Sequence, residues 1–170
     1  MMKRSDNVWE EGGGRKGETA FSLLELLVVL GVMAVLAATA VPLLTDNIPR
    51  FQLKSAARVL LADFQRAKVE AVKRNCNVEI RFSPGVYNPA GEVGSYQIVE
   101  MCNNTTLLSR NMPRWVSLYQ TNFTNNTTGY QPDGLPIRTG SVWLRNNKSV
   151  YYQLALSVAG NVSLSMGELP

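Results

Sequence analysis

One carboxylate stands apart from the rest. Glu25 immediately precedes an uncharged apolar run that extends from Leu26 to Thr45. At about 1.5 Å per helical residue such a run matches the roughly 30 Å hydrocarbon core of a bilayer. A carboxylate at the edge of that segment costs about 2.5 kcal/mol or more at depth and less near the interface, so it calls for a positive partner. The second chemically capable pair is Cys76 and Cys102, the two cysteines of the chain. They can form one staple but not a disulfide framework, and their spacing is not that of a metal site. Catalytic chemistry finds little else. The chain has no histidine, which removes the commonest general base and the commonest metal ligand. Its 13 Asp and Glu residues are scattered. No nucleophile–base–orienter set assembles unless lysine or carboxylates serve. Gly12-Gly13-Gly14 precedes no strand–helix unit and is not a phosphate loop. No catalytic residue, metal site or cofactor is expected, and the chain reads as a non-enzyme.

The elements that must position Glu25 and the cysteines follow from periodicity. A chain of 170 residues with 45% apolar and 18% charged composition supports one globular domain plus what the ends carry. The +4 net charge belongs to residues 21–170, because the charges of residues 1–20 cancel. Pro42 and Pro49 bracket a weak point in the helix that the apolar run begins. Helical spacing resumes after them: Leu53, Ala57, Leu60, Phe64, Ala67 and Ala71 form one narrow apolar stripe. Arg50, Lys54, Arg58, Arg66, Lys68 and Lys73 lie elsewhere on that helix and read as a solvated face.

From Cys76 the period becomes two, with Val78, Ile80 and Phe82 on one face. Residues 95–101, 114–120, 141–145, 150–158 and 161–166 read as further strands. Pro84-Gly85, the stretch Asn88 to Gly91 and Ala159-Gly160 mark turns. Asn104-Thr105-Thr106 and residues 121–140 read as polar loop. Trp115, Trp143, Tyr151 and Tyr152 read as strand core and cross-strand pairs rather than a ligand surface. The expected fold is α+β, one long N-terminal helix packed on an antiparallel sheet. Cys76 opens the first strand and Cys102 ends the second, so hairpin pairing brings them close and a disulfide is expected.

The stretch Ala20-Phe21-Ser22-Leu23-Leu24-Glu25 resembles the prepilin peptidase site of type IV pilins and pseudopilins. In that family a small residue, usually Gly, precedes the cut, Phe follows it, and Glu is the fifth residue of the mature chain. Ala20 stands here where Gly is usual. The order of strands and the closing stretches Pro132 to Pro136 and Ser157 to Leu164 resemble the H-type pseudopilin (GspH) and FimT/FimU-like minor pilin branch. The resemblance implies a leader at 1–20, a transmembrane and assembly helix at 21–45 with its membrane-exit proline at Pro42, and a periplasmic globular domain at 46–170. It implies cleavage between Ala20 and Phe21, N-methylation of Phe21 and an assembly role for Glu25. It also implies a single-pass inner-membrane location before assembly into a pilus or a type II secretion pseudopilus. The partners it implies are other pilins or pseudopilins, the prepilin peptidase and the inner-membrane assembly platform.

Two rival readings remain. In FimT-like proteins a Gly-Arg-x-Arg pattern near the C-terminus serves DNA uptake. Here the matching positions are Gly160-Asn161-Val162-Ser163, so nucleic acid is not an expected partner. The other rival is a secreted domain cut after Ala40, since Ala38-Thr39-Ala40 resembles a signal-peptidase site. The long, electrically neutral region before the apolar run and Glu25 itself argue against it.

Overall fold

The computed structural model describes residues 22–86, 88 and 93–168, without the side chains of residues 39–46. The leader 1–20, with Ala20, and also Phe21 lie outside the described residues, as does the side chain of Pro42. The chain divides into two compact units, Met1–Ala40 and Val41–Pro170.

Helix α1 spans Leu23–Arg74, and its assignment runs through Pro42 and Pro49. Among the described residues eight strands follow: β1 Val78–Ser83, β2 Ser95–Glu100, β3 Thr105–Asn111, β4 Val116–Thr121, β5 Thr127–Tyr130, β6 Gly140–Asn146, β7 Val150–Leu156 and β8 Val162–Glu168. They form two four-stranded sheets, in the orders β3-β2-β1-β5 and β4-β6-β7-β8. Every named pairing is antiparallel. The fold is thus the expected α+β arrangement of a helix on antiparallel strands, but the single sheet of the sequence reading is corrected to two. The connection between β1 and β2 joins them: Leu118 N–H donates to the Val93 carbonyl at 2.9 Å, and Gly85 N–H donates to the Leu118 carbonyl at 3.2 Å.

The globular core forms where the apolar stripe of α1 meets the inner faces of the strands. Leu53, Ala57, Leu60, Phe64, Ala67 and Ala71 are all fully buried, as the helical spacing predicts. They meet Val78, Ile80 and Phe82 of β1, Val116 and Leu118 of β4, Val142 and Leu144 of β6, and Leu154 and Leu156 of β7. Phe82 sits at the centre, with ring centroids 6.1 Å from Phe64, 6.3 Å from Tyr96 and 5.6 Å from a stacked Phe123. Such pairs add roughly 0.5–1.5 kcal/mol each beyond their area.

Two stretches read as polar loop are strands, β3 and β5. β3 lies at the edge of its sheet and is largely exposed on both faces, so its sequence Thr-Thr-Leu-Leu-Ser-Arg-Asn lacks the alternation that marks a half-buried strand. β5 has four residues and depends on Gly129, where an added Cβ would collide with the Val78 carbonyl of β1. The aromatic residues also divide. Tyr152 packs against the core. Trp115 precedes β4 with a left-handed backbone (φ 64) and stacks under Arg114 at 4.7 Å. Trp143 faces Gln153, and the Tyr151 ring lies over Gly167.

Candidate assembly site

The first turn of α1 begins at Ser22, whose Oγ accepts a hydrogen bond from the Glu25 backbone N–H at 3.2 Å. The Ser22 carbonyl accepts from Leu26 N–H at 3.2 Å. Ser22 therefore caps the helix. Ser-x-x-Glu is the capping-box spacing, a local signal that the sequence reading passed over. The cap fixes the turn that carries Glu25, and a carboxylate there complements the positive end of the helix dipole. Glu25 is exposed and makes no ion pair with a described residue.

Around Glu25, from Leu23 to Leu36, the helix is apolar on every side. Leu23, Leu24, Leu26, Leu27, Val28, Val29, Leu30, Val32, Met33, Val35 and Leu36 are each between 51% and 82% exposed. A helix apolar all round is made to be surrounded by other apolar matter. At 1.5–3 kcal/mol per fully buried large side chain, and with part of each already shielded by the helix, covering this set is worth roughly 10–20 kcal/mol. A shallow groove on it is lined by Val28, Gly31, Val32, Val35 and Leu36. Gly31 leaves open space there, since an added Cβ would meet nothing within 4 Å. Among the described residues no helix is long and apolar enough to cross a membrane. The expected segment 21–45 runs through Phe21 and residues 39–45, which lie wholly or in their side chains outside that description.

In the globular unit, two devices fasten α1 to the strands. Tyr96 on β2 donates its hydroxyl to Asp63 Oδ2 at 2.5 Å, and Arg110 on β3 donates Nε–H to the same oxygen at 2.7 Å. Asp63 is 5% and Tyr96 1% exposed. Burial, and then the hydrogen bond to Asp63, push the Tyr96 phenol well above its ordinary range. Bonding to Asp63 likewise raises Arg110.

The second device is at the end of α1. The helix closes with Asn75 in the left-handed conformation (φ 50), Asn75 N–H on the Val72 carbonyl and Cys76 N–H on the Ala71 carbonyl. Arg74 bridges Glu70 at 2.6 Å and the buried Glu100 of β2 at 2.8 Å. The bond to Arg74 lowers the Glu70 carboxyl. Cys76 and Cys102 are joined in a disulfide, with Cα atoms 6.1 Å apart, as the hairpin reading expected. The glycine loop Gly160-Asn161-Val162-Ser163 turns β7 into β8, with Gly160 at φ 76 and its N–H on the Ser157 carbonyl. The nearby cation is Lys68, 6.0 Å from the Tyr130 ring centroid. Among the described residues no cluster of His, Cys, Asp or Glu could hold a metal ion.

Comparison with known proteins agrees with this geometry. Residues 56–160 match the family model described as type II transport protein GspH, and residues 15–41 match the prokaryotic N-terminal methylation motif. The chain is 46% identical over 67 residues to the pilin-like protein PilA1 of Thermus thermophilus, covering 39% of this chain and 40% of that protein. It is 34% identical over 89 residues to the type IV major pilin protein PilE1 of Neisseria gonorrhoeae, covering 51% of this chain and 41% of that one. The chain thus matches about two-fifths of the length of these curated relatives. The crystal structure of the type IV minor pilin FimU of Pseudomonas aeruginosa shares the fold, with a TM-score of 0.50, 18% identity, and coverage of 68% of this chain and 90% of that one.

Proposed function

The chain belongs to the GspH family of type II transport proteins, and we propose that it is a minor pilin or pseudopilin that works by assembly through its N-terminal helix. The observation that supports this reading is the exposed apolar stretch of α1 headed by a capped Glu25. Pilin and pseudopilin families are structural, and the role requires no catalysis by this chain. In the precursor, residues 21–45 hold the chain in the inner membrane with the globular domain in the periplasm. The prepilin peptidase cuts between Ala20 and Phe21, and Phe21 is N-methylated. Pro42 bends the helix where it leaves the membrane. The assembly platform then moves the helix into a bundle with those of other pilins or pseudopilins.

Glu25 supplies the register. Cleavage creates a positive amine at Phe21, and between staggered helices that amine of one subunit meets Glu25 of its neighbour. In an apolar bundle such a pair fixes position more surely than it adds stability, because desolvation offsets much of the attraction. The test is Glu25→Ala in cells, scored by cross-linking to other pilins and by mass spectrometry of the N-terminus. Membrane insertion and cleavage before Phe21 should persist while cross-linking is lost, and Glu25→Asp should be partly defective. Wild-type cross-linking by Glu25→Ala refutes the register role. A native N-terminus at Val41 refutes the assembly reading and favours the secreted domain.

A further inference from the structure

The two cysteines of the Cys76–Cys102 disulfide stand in unlike surroundings. Cys76 follows the end of α1 and is 3% exposed. Cys102 lies in the turn between β2 and β3 and is exposed, as are its neighbours from Met101 to Thr106. Met101 N–H donates to the Asn77 carbonyl at 2.9 Å, which pins the start of that turn beside the first cysteine. Cys102 N–H donates to the Cys76 sulfur at 3.0 Å. A shallow cavity of about 300 Å³ beside the bond is lined by Asn75, Cys76, Asn77, Met101, Cys102 and Pro132. Arg81, which also pairs with Glu79 at 3.3 Å, reaches the wall of that cavity with Nη2 3.3 Å from Met101 Sδ.

We propose that this disulfide is a thiol-exchange site with a fixed direction: an external thiol enters through the cavity and attacks Cys102, and Cys76 is the sulfur that leaves. A bond forms between the incoming thiolate sulfur and Cys102 Sγ. The Cys76–Cys102 bond breaks, its electron pair departs with Cys76 as a thiolate, and that thiolate takes a proton from water. A second external thiol, deprotonated to water, then attacks the external sulfur of the mixed disulfide and releases Cys102 as a thiolate. The two cysteines end reduced and the two external thiols end joined as a disulfide. The same steps in reverse close the bond. Three features set the direction. A nucleophile reaches Cys102 from solvent, whereas one aimed at Cys76 has to come through the packed end of α1, and access governs which sulfur is attacked. The Cys102 N–H already points at the Cys76 sulfur, so it stabilises the negative charge that gathers there on departure. The Arg81 cation beside the cavity wall favours the arrival of a thiolate. Exchange at this place unties the end of α1 from the β2–β3 turn, and the interior of the domain is not entered.

The oxidised full chain in mild detergent is treated with glutathione, quenched with excess N-ethylmaleimide and mapped by mass spectrometry of its peptides. Glutathione should stand on Cys102 and maleimide on Cys76, in at least about tenfold excess over the opposite arrangement. Equal shares, glutathione on Cys76, or exchange that occurs only in guanidinium overturns the proposal. A parallel incubation uses thioredoxin whose second active-site cysteine is replaced by serine, so that a mixed disulfide is trapped. An adduct on Cys102 with both reagents opens the site to protein thiols; one with glutathione alone confines it to small thiols. Single variants give an independent rate. The thiol left by Cys76→Ser should react with Ellman's reagent at least about tenfold faster than the one left by Cys102→Ser, and guanidinium should equalise the two. Equal rates in variants whose far-UV circular dichroism is native also overturn the proposal, and should either variant fail to fold, the mapping on the unsubstituted chain decides.

Discussion

Asp63→Ala isolates the junction between helix and sheet. In the native chain the Asp63 carboxylate accepts from Tyr96 at 2.5 Å and from Arg110 at 2.7 Å. The alanine variant strands the Tyr96 hydroxyl, whose residue is 1% exposed, without an acceptor. An orphaned buried donor costs about 1–3 kcal/mol. Arg110 suffers less: its side chain is 43% exposed, so water replaces the lost carboxylate, and that part is worth roughly 1 kcal/mol. The expected destabilisation is about 2–4 kcal/mol, or roughly 5–15 °C in Tm for a chain of this size. Tyr96→Phe alone removes the hydroxyl but leaves Asp63 bonded to Arg110, and should cost about 1 kcal/mol. In the double variant no orphan remains, so its cost should fall short of the sum of the singles by about 1–2 kcal/mol. Guanidinium unfolding of the full chain in mild detergent, followed by far-UV circular dichroism with the disulfide oxidised, measures all three. A cost below about 0.5 kcal/mol for Asp63→Ala, or strict additivity in the cycle, would refute the network as the fastener of the helix.

Replacing Cys76 and Cys102 together by serine opens a cross-link over a sequence separation of 26. Loss of roughly 3–4 kcal/mol is expected by the chain-entropy argument, read from the same unfolding experiment, and no loss would contradict it. Alkaline pH gives an independent test. Burial holds the Tyr130 phenol up to about 12, against 10.0 for a free one. The folded chain therefore keeps a proton that the unfolded chain releases. Stability should be flat below about pH 10 and fall by roughly 3 kcal/mol as pH rises to about 12. Tyr96 acts in the same direction, and Tyr130→Phe should flatten part of the fall in a melting series against pH.

Features that depend on near neighbours along the chain could be read from the residues alone. The apolar stripe from Leu53 to Ala71 and the alternation Val78, Ile80, Phe82 were both legible, because burial of one face imposes a local period of 3.6 or 2. The apolar start of α1 was legible from its unbroken apolar run, and the cysteine pair followed from the hairpin that places Cys76 near Cys102. Ser22 could have been read as well, from its distance of three residues to Glu25. What required the tertiary structure is what depends on distant partners. Asp63 looks like one more polar residue of a charged helix; its buried role exists only because Tyr96, 33 residues away, and Arg110, 47 residues away, converge on one oxygen. β3 carries no clear period because most of its residues are exposed and its two adjacent leucines, Leu107 and Leu108, both pack in part against the core. The division of eight strands into two sheets was likewise decided in space, by which edges the β1–β2 connection and β4 bring together, and strand pairing over such separations leaves no mark in any local window of residues.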